Sequence, residues 1–197
     1  MSKCKTVKAE NAMPNLPGSV LSKTQIRALL RDKPPLIEKM VDVNTQLQPN
    51  GVDLTVKTVE KIAGAGCIDF SNKDRKLSDT VKQVFDADWV YLSQGQYKII
   101  LNEIVHLPKD MMAIGAPRTS LIRCGVTVET GIWDAGYEGR SESLLVVFNE
   151  AGVRIKKDAR VLQLVFIRLS NKIAAGEAYG GIYQSENIGE RQMTLDV

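Results

Sequence analysis

The chain has a single histidine, His106, among 197 residues. A serine or cysteine mechanism that relies on histidine would have to use it, and "IVHLP" supplies no matching nucleophile, so it reads as a strand-end residue. Cysteine is equally sparse. Cys4, Cys67 and Cys124 are odd in number and form no C-x-x-C pair, which argues against a disulfide framework and fits a reducing compartment. Nothing adjacent would activate any of these thiols, so each reads as a small buried or surface residue. The H-x-E and P-C-x-x-C pair of zinc-dependent base chemistry is missing, as are a P-loop and a dinucleotide fingerprint. No apolar run approaches the length that spans a bilayer, and the first twenty residues carry no continuous apolar core of a signal peptide. The expected location is therefore cytoplasmic, with no membrane partner. A formal charge of +3 makes no case for nucleic acid but suits a small anionic substrate.

What is present suggests one domain with modest extensions, as expected near this length. Residues 1–20 are polar, with Pro14 and Pro17, and read as a flexible arm. "LSKTQIRALL" then predicts a helix, with Ser22 as N-cap, Gln25 completing a capping box, and Ile26, Leu29 and Leu30 on one apolar stripe. From Val52 the period changes to two. Strand-like runs recur in "WVYLSQGQYKIILNEIVHL", "SLLVVF" and "RVLQLVFIRL", while the polar stretch between Ala63 and Asp88 reads as a long excursion with at most short strands. No later segment has a helical pattern of comparable strength, so residues 21–175 are expected to form an antiparallel β barrel or sandwich. Residues 176–197, with several glycines at their start, read as a flexible tail.

Short polar clusters punctuate these strands. "QPNGVDL" contains Asp53. "GAPRTSLIRCG" places Arg118, Thr119, Ser120 and Arg123 within six positions, and two forked guanidiniums with two hydroxyls suit a phosphate. The same segment would also serve as a solvated loop with one helical turn. Gln163 interrupts an apolar strand, which a strand at a sheet edge would tolerate. "GIWDAGYEG" sets one carboxylate, Asp134, among three glycines, although Asp-Ala-Gly is also ordinary turn chemistry.

Taken in order, "LSKTQIRALL", "QPNGVDL", "VHLPKDMMAIGAPRTSLIRCG", "GIWDAGYEG" and "ARVLQLVFIRLS" resemble the successive motifs of the trimeric dUTPase and dCTP deaminase superfamily, and "AYGGIYQ" resembles the deaminase-branch ending. The match runs from about Leu21 to Gln184. It implies a mainly all-β fold, a distorted jelly-roll β-barrel of the dUTPase type with a short N-terminal helix, assembled as a homotrimer with sites shared between subunits. The N-terminal helix, "QPNGVDL" and "RTSLIRCG" look more like the deaminase branch. The hairpin "GVTVETGIWD" has dUTPase spacing from Gly125 to Asp134. Deaminases carry a glutamate on the following strand, where the two ways of counting give Leu144 and Val146, neither able to shuttle a proton. Glu142 could take that role only if two extra residues bulged it inward. In the tail, Ile182 and Glu186 stand where deaminases commonly show lysine and glutamine.

The resemblance therefore implies hydrolysis of dUTP to dUMP and pyrophosphate. Asp134 matches the general base that directs water at the α-phosphorus. Gly131 lets the hairpin backbone approach uracil, and Tyr137 stacks under deoxyribose, leaving no room for a 2′-hydroxyl. Gly136 replaces the second aspartate of the usual D-x-D-Y form. Arg118, Thr119 and Ser120 match the phosphate motif, Arg123 is a further phosphate contact, and Gln163 matches the glutamine of the fourth motif. Asp53 would act through water near a magnesium ion (Mg2+) that the substrate phosphates themselves hold. Tyr179 and Tyr183 are candidates for stacking, although the R-G-x-x-G-F-G ending of dUTPases is missing. Two alternatives stay open: a dCTP deaminase or bifunctional enzyme, and a catalytically inactive nucleotide-binding trimer.

Overall fold

The structure, a computed structural model, describes residues 16–174 and 176–189. Helix α1 (Lys23–Leu29) opens on Ser22, whose backbone N–H donates to Gln25 Oε1 at 3.0 Å, so the expected capping box forms. Ile26 is buried, and Leu29 and Leu30 pack against the core. Strand β1 (Ile37–Glu38), helix α2 (Val43–Gln46) and strand β2 (Leu47–Gln48) lead into the long strand β3 (Gly51–Ala63). The polar excursion that follows contains a bridge between Cys67 and Lys76, strand β4 (Asp79–Gln83), and Asp86, which bridges Trp89. Strands β5 (Trp89–Leu92), β6 (Gly95–Leu101), β7 (Ile104–His106) and β8 (Met111–Pro117) come next. A single helical turn, α3 (Thr119–Arg123), precedes β9 (Val126–Glu129), β10 (Glu138–Gly139), β11 (Glu142–Val147), β12 (Val153–Lys156) and β13 (Arg160–Arg168).

The main sheet runs β8-β13-β3-β6-β11-β9, with every neighbouring pair antiparallel. Beyond β9 the chain returns to β8, where Trp133 and Ala113 exchange both backbone hydrogen bonds, so the sheet nearly closes on itself. This is the expected mainly-β barrel. Two small sheets, β1-β7-β10 and β12-β5, flank it. Alternation decides which side chains fill the interior: Leu162, Leu164 and Phe166 of β13 face Val52 and Leu54 of β3, all fully buried. Each such side chain contributes about 1.5–3 kcal/mol by leaving water.

Gln163 does not lie at an edge. Strand β13 is paired on both sides, with β3 and β8, so the glutamine sits in the middle of a sheet. His106 ends β7, with Glu38 Oε1 3.1 Å from Nε2 and Glu138 Oε2 3.6 Å from Nδ1. Of the arm over residues 1–20, the described part docks on β13: Val20 bridges Ile167, and Gly18 N–H donates to the Arg168 carbonyl. The remainder, with Cys4, lies outside the described residues, as do residues 190–197 of the tail.

Candidate active site

The register of β3 against β13 sets Asp53 directly opposite Gln163, both on the face turned away from Val52 and Leu54. Asp53 is 2% exposed, and its Oδ2 takes two guanidiniums at once, Arg118 Nε at 3.0 Å and Arg160 Nη1 at 3.1 Å. Burial pushes the Asp53 carboxyl up, and the two arginines pull part of that shift back. Two cations on one anion leave this cluster one positive charge in surplus. Arg118 stands at the N-cap of α3, followed by Thr119 and Ser120, both exposed, and Arg123 is exposed in the last turn. The cluster predicted from scattered motifs thus joins Asp53, Arg118 and Gln163. It also includes Arg160, which no local pattern singles out although it lies three residues before Gln163 in the same motif.

The second group forms on the hairpin after β9. Asp134 is exposed and begins a turn closed by Tyr137 N–H on the Asp134 carbonyl at 3.0 Å. Gly136 supplies the positive φ of +88° that the turn's third position requires, and a β-carbon there would lie 2.9 Å from Ala178 Cβ. Asp134 is therefore a turn residue whose carboxylate is presented to solvent, and the two readings of it are compatible. Beside this turn lies a cavity of about 290 Å³, lined by Gly131, Trp133, Tyr137, Glu142, Tyr179 and Glu186 among others. A β-carbon built on Gly131 meets nothing within 4 Å. Its own fold leaves that space open.

Tyr137 is 6% exposed and heads a chain of polar groups. Its hydroxyl donates to Glu186 Oε1 at 2.8 Å and lies 3.0 Å from Ser141 Oγ, which in turn accepts from the Trp133 indole N–H. Burial, with the Glu186 charge adding to it, raises the Tyr137 hydroxyl far above its usual range, against the pull of Ser141. Tyr179 meets the Tyr137 ring edge-to-face, at 5.7 Å between centroids and 69° between planes. The tail residues arrive as a strap along the hairpin. Tyr179 N–H donates to the Ala135 carbonyl at 2.9 Å, Ser185 N–H to Glu138 at 2.7 Å, and Arg140 N–H to Glu186 at 2.9 Å. Gln184 adds a reciprocal pair, accepting from Glu138 N–H and donating to the Gly136 carbonyl.

The two groups stand apart within one chain. Trp133 is level with Ala113 on β8, so Asp134 falls level with Met112, six residues from Arg118. At the rise of a strand that is roughly 20 Å.

A family model described as dCTP deaminase-like matches residues 20–169. The chain belongs to the dCTP deaminase-like family. A protein of Methanosarcina mazei named probable deoxyuridine 5'-triphosphate nucleotidohydrolase is 51% identical over 170 residues, 86% of this chain and 98% of that one. The Methanocaldococcus jannaschii protein named deoxyuridine 5'-triphosphate nucleotidohydrolase is 37% identical over 142 residues, 71% and 87% of the two chains. Among solved structures, the 2'-deoxycytidine 5'-triphosphate deaminase of Agrobacterium tumefaciens superposes with a TM-score of 0.60 at 22% identity, over 78% of this chain and 49% of that one. That likeness is one of fold.

The deaminase alternative rests on the strand after the hairpin. β11 pairs with β6 without a break in register from Glu142 to Val147, so no bulge turns Glu142 toward the barrel interior. Glu142, Leu144 and Val146 share the half-buried outer face, opposite the buried Ser143, Leu145 and Val147. Although Glu142 borders the cavity, its Oε1 is 3.4 Å from Lys98 Nζ and accepts from Asn187 Nδ2 at 3.2 Å. No acid stands at Leu144 or Val146.

Proposed function

We infer that this chain is a dUTP diphosphatase, hydrolysing dUTP to dUMP and pyrophosphate. The hairpin cavity carries the reading. Its backbone is bare at Gly131, the Tyr137 ring lines it, and a carboxylate, Asp134, stands exposed on the turn beside it. The names of the archaeal relatives supply the substrate. Gly131 would admit uracil against main-chain N–H and C=O groups, Tyr137 would lie under deoxyribose, and Asp134 would take the proton from the water attacking the α-phosphorus. The surplus charge at Arg118, with Arg160 beside it, suits the triphosphate, and Thr119, Ser120, Arg123 and Gln163 complete that end. Asp53 Oδ2 is already shared by two guanidiniums, so it would meet a magnesium ion only through water. Held on the phosphate oxygens, magnesium would neutralise charge on the departing pyrophosphate.

A separation of roughly 20 Å between Asp134 and Arg118 in one chain is long for base and triphosphate of one nucleotide. A homotrimer in which a neighbour's phosphate cluster faces this hairpin would make a complete site. Two free, exposed cysteines, Cys67 and Cys124, suit a reducing cytoplasm.

Incubation with magnesium and either dUTP or dCTP, followed by nucleotide separation, tests the reaction. dUMP and pyrophosphate from dUTP alone is the expected result, and any dUTP or dUMP formed from dCTP would make the chain a deaminase as well. Asp134→Asn should lower kcat by about 10²–10⁴-fold while nucleotide affinity stays within roughly threefold. Near-wild-type turnover by that variant would remove Asp134 from the role of base.

A further inference from the structure

The dUTP reading gives Tyr137 a role but does not say what holds its ring in place. In the structure the ring is fixed at both ends: the chain passes into β10 at Glu138, and the hydroxyl is anchored on the strap, 49 residues further along. The anchor is a carboxylate. Glu186 accepts the Tyr137 proton at 2.8 Å, while Ser141, itself receiving the Trp133 indole N–H, is placed to donate to the same hydroxyl oxygen. Hydrogen bonds running one way, Trp133 to Ser141 to Tyr137 to Glu186, polarise one another and leave the ring little freedom to pivot. Glu186 is itself held by main chain on both sides: its carbonyl accepts from Arg140 N–H, and its N–H donates to the Tyr183 carbonyl at 3.2 Å. It also lines the same cavity as Tyr137 and Gly131.

Resting on the dUTP reading, we propose that Glu186 is the positioning residue for sugar discrimination: by pinning the Tyr137 hydroxyl it sets the tilt of the ring on which deoxyribose rests, and so excludes a ribose 2′-hydroxyl. A hydroxyl is rejected by lack of room only as long as the wall does not move. A ring released at its para position swings about its Cα–Cβ and Cβ–Cγ bonds, and a shift of a fraction of an ångström at the sugar face is enough to admit one oxygen. Glutamate at this position also ties specificity to docking of the strap, because the anchor is present only when residues 178–187 lie on the hairpin. The same contact could instead serve only to hold the strap down, and the experiment separates the two roles.

The wild type, Glu186→Ala, Glu186→Gln, Tyr137→Phe and the Glu186→Ala/Tyr137→Phe double variant are assayed with magnesium on dUTP and on UTP. The readout is the ratio of the two kcat/KM values. Glu186→Ala and Tyr137→Phe should each lower the preference for dUTP roughly tenfold, the scale of one hydrogen bond to a charged acceptor. The double variant should lose no more than either single change, because both remove the same contact. Glu186→Gln, which keeps an accepting oxygen, should stay within about threefold of wild type and guards against misfolding of the alanine variant. A ratio unchanged in Glu186→Ala would overturn the proposal. So would equal loss on both nucleotides, which marks a latch of purely structural effect. A wild type that releases no dUMP from dUTP would remove the dUTP reading and this inference together.

Discussion

At the scale of single residues, the chain spends its buried charges in pairs. Asp53 is compensated by Arg118 and Arg160, the arrangement that lets a carboxylate stay in a barrel wall. Glu103 is a different case. It is fully buried, accepts from Thr55 N–H at 2.9 Å, Thr55 Oγ1 at 2.7 Å and Gln46 Nε2 at 2.6 Å, and has Arg140 as the nearby cation. Burial raises its carboxyl above the usual range in spite of those hydrogen bonds. An acid whose folded pKa is raised contributes stability when protonated, and that contribution is lost as pH rises through the folded value. The unfolding free energy of wild type minus that of Glu103→Gln should therefore fall as pH rises upward from the ordinary glutamate range. Chemical denaturation of both proteins across that rise measures it, and a difference that is flat or rises with pH would contradict the assignment. Glu60, lowered mainly through its bonds to Thr80 and Lys98 against burial, pulls the other way in both proteins and cancels in the comparison.

At the scale of elements, the hairpin is the proposed binding unit, and its two glycines differ in what the fold asks of them. Gly136 is required by the turn and by the close approach of Ala178, whereas Gly131 has no such constraint in the described structure. Gly131→Val should consequently melt within a few degrees of wild type yet raise KM for dUTP by more than about tenfold, since the branched side chain would occupy the space assigned to uracil. Calorimetry and steady-state kinetics on one preparation decide it; a fall in Tm with unchanged KM would mean the glycine serves folding. The strap is the element that sequence describes least well. Its glycines suggest a loose tail, but Tyr179, Gln184, Ser185 and Asn187 find partners on residues 135–142 and form one layer with the hairpin. Those partners are main-chain groups of the turn and of β10 and its exit, which no periodicity announces.

At the scale of the whole molecule, the distance between hairpin and phosphate cluster is the decisive quantity. If neighbouring copies supply each other's missing half, Asp134→Asn and Arg118→Ala proteins, each inactive alone, should regain activity when unfolded and refolded together, with about a quarter of the sites intact in a random trimer. Absence of complementation in a verified mixed assembly would show that each chain works alone. The sequence by itself determined the barrel and the family, and it named most of the residues proposed for the site. Alternating strands, a capping box and ordered polar motifs are local patterns, and Asp53, Arg118, Gln163, Gly131, Asp134 and Tyr137 were all legible in them. Only the tertiary structure decided that Gln163 is interior and opposite Asp53, that Arg160 shares the Asp53 carboxylate, that Glu142 is tied to Lys98 on a regular strand, and that Glu186 holds Tyr137. Each of these depends on strand register or on a contact spanning tens of residues. Such pairings are fixed by where the backbone closes its hydrogen bonds, and a one-dimensional pattern does not encode which partner lies across the ladder.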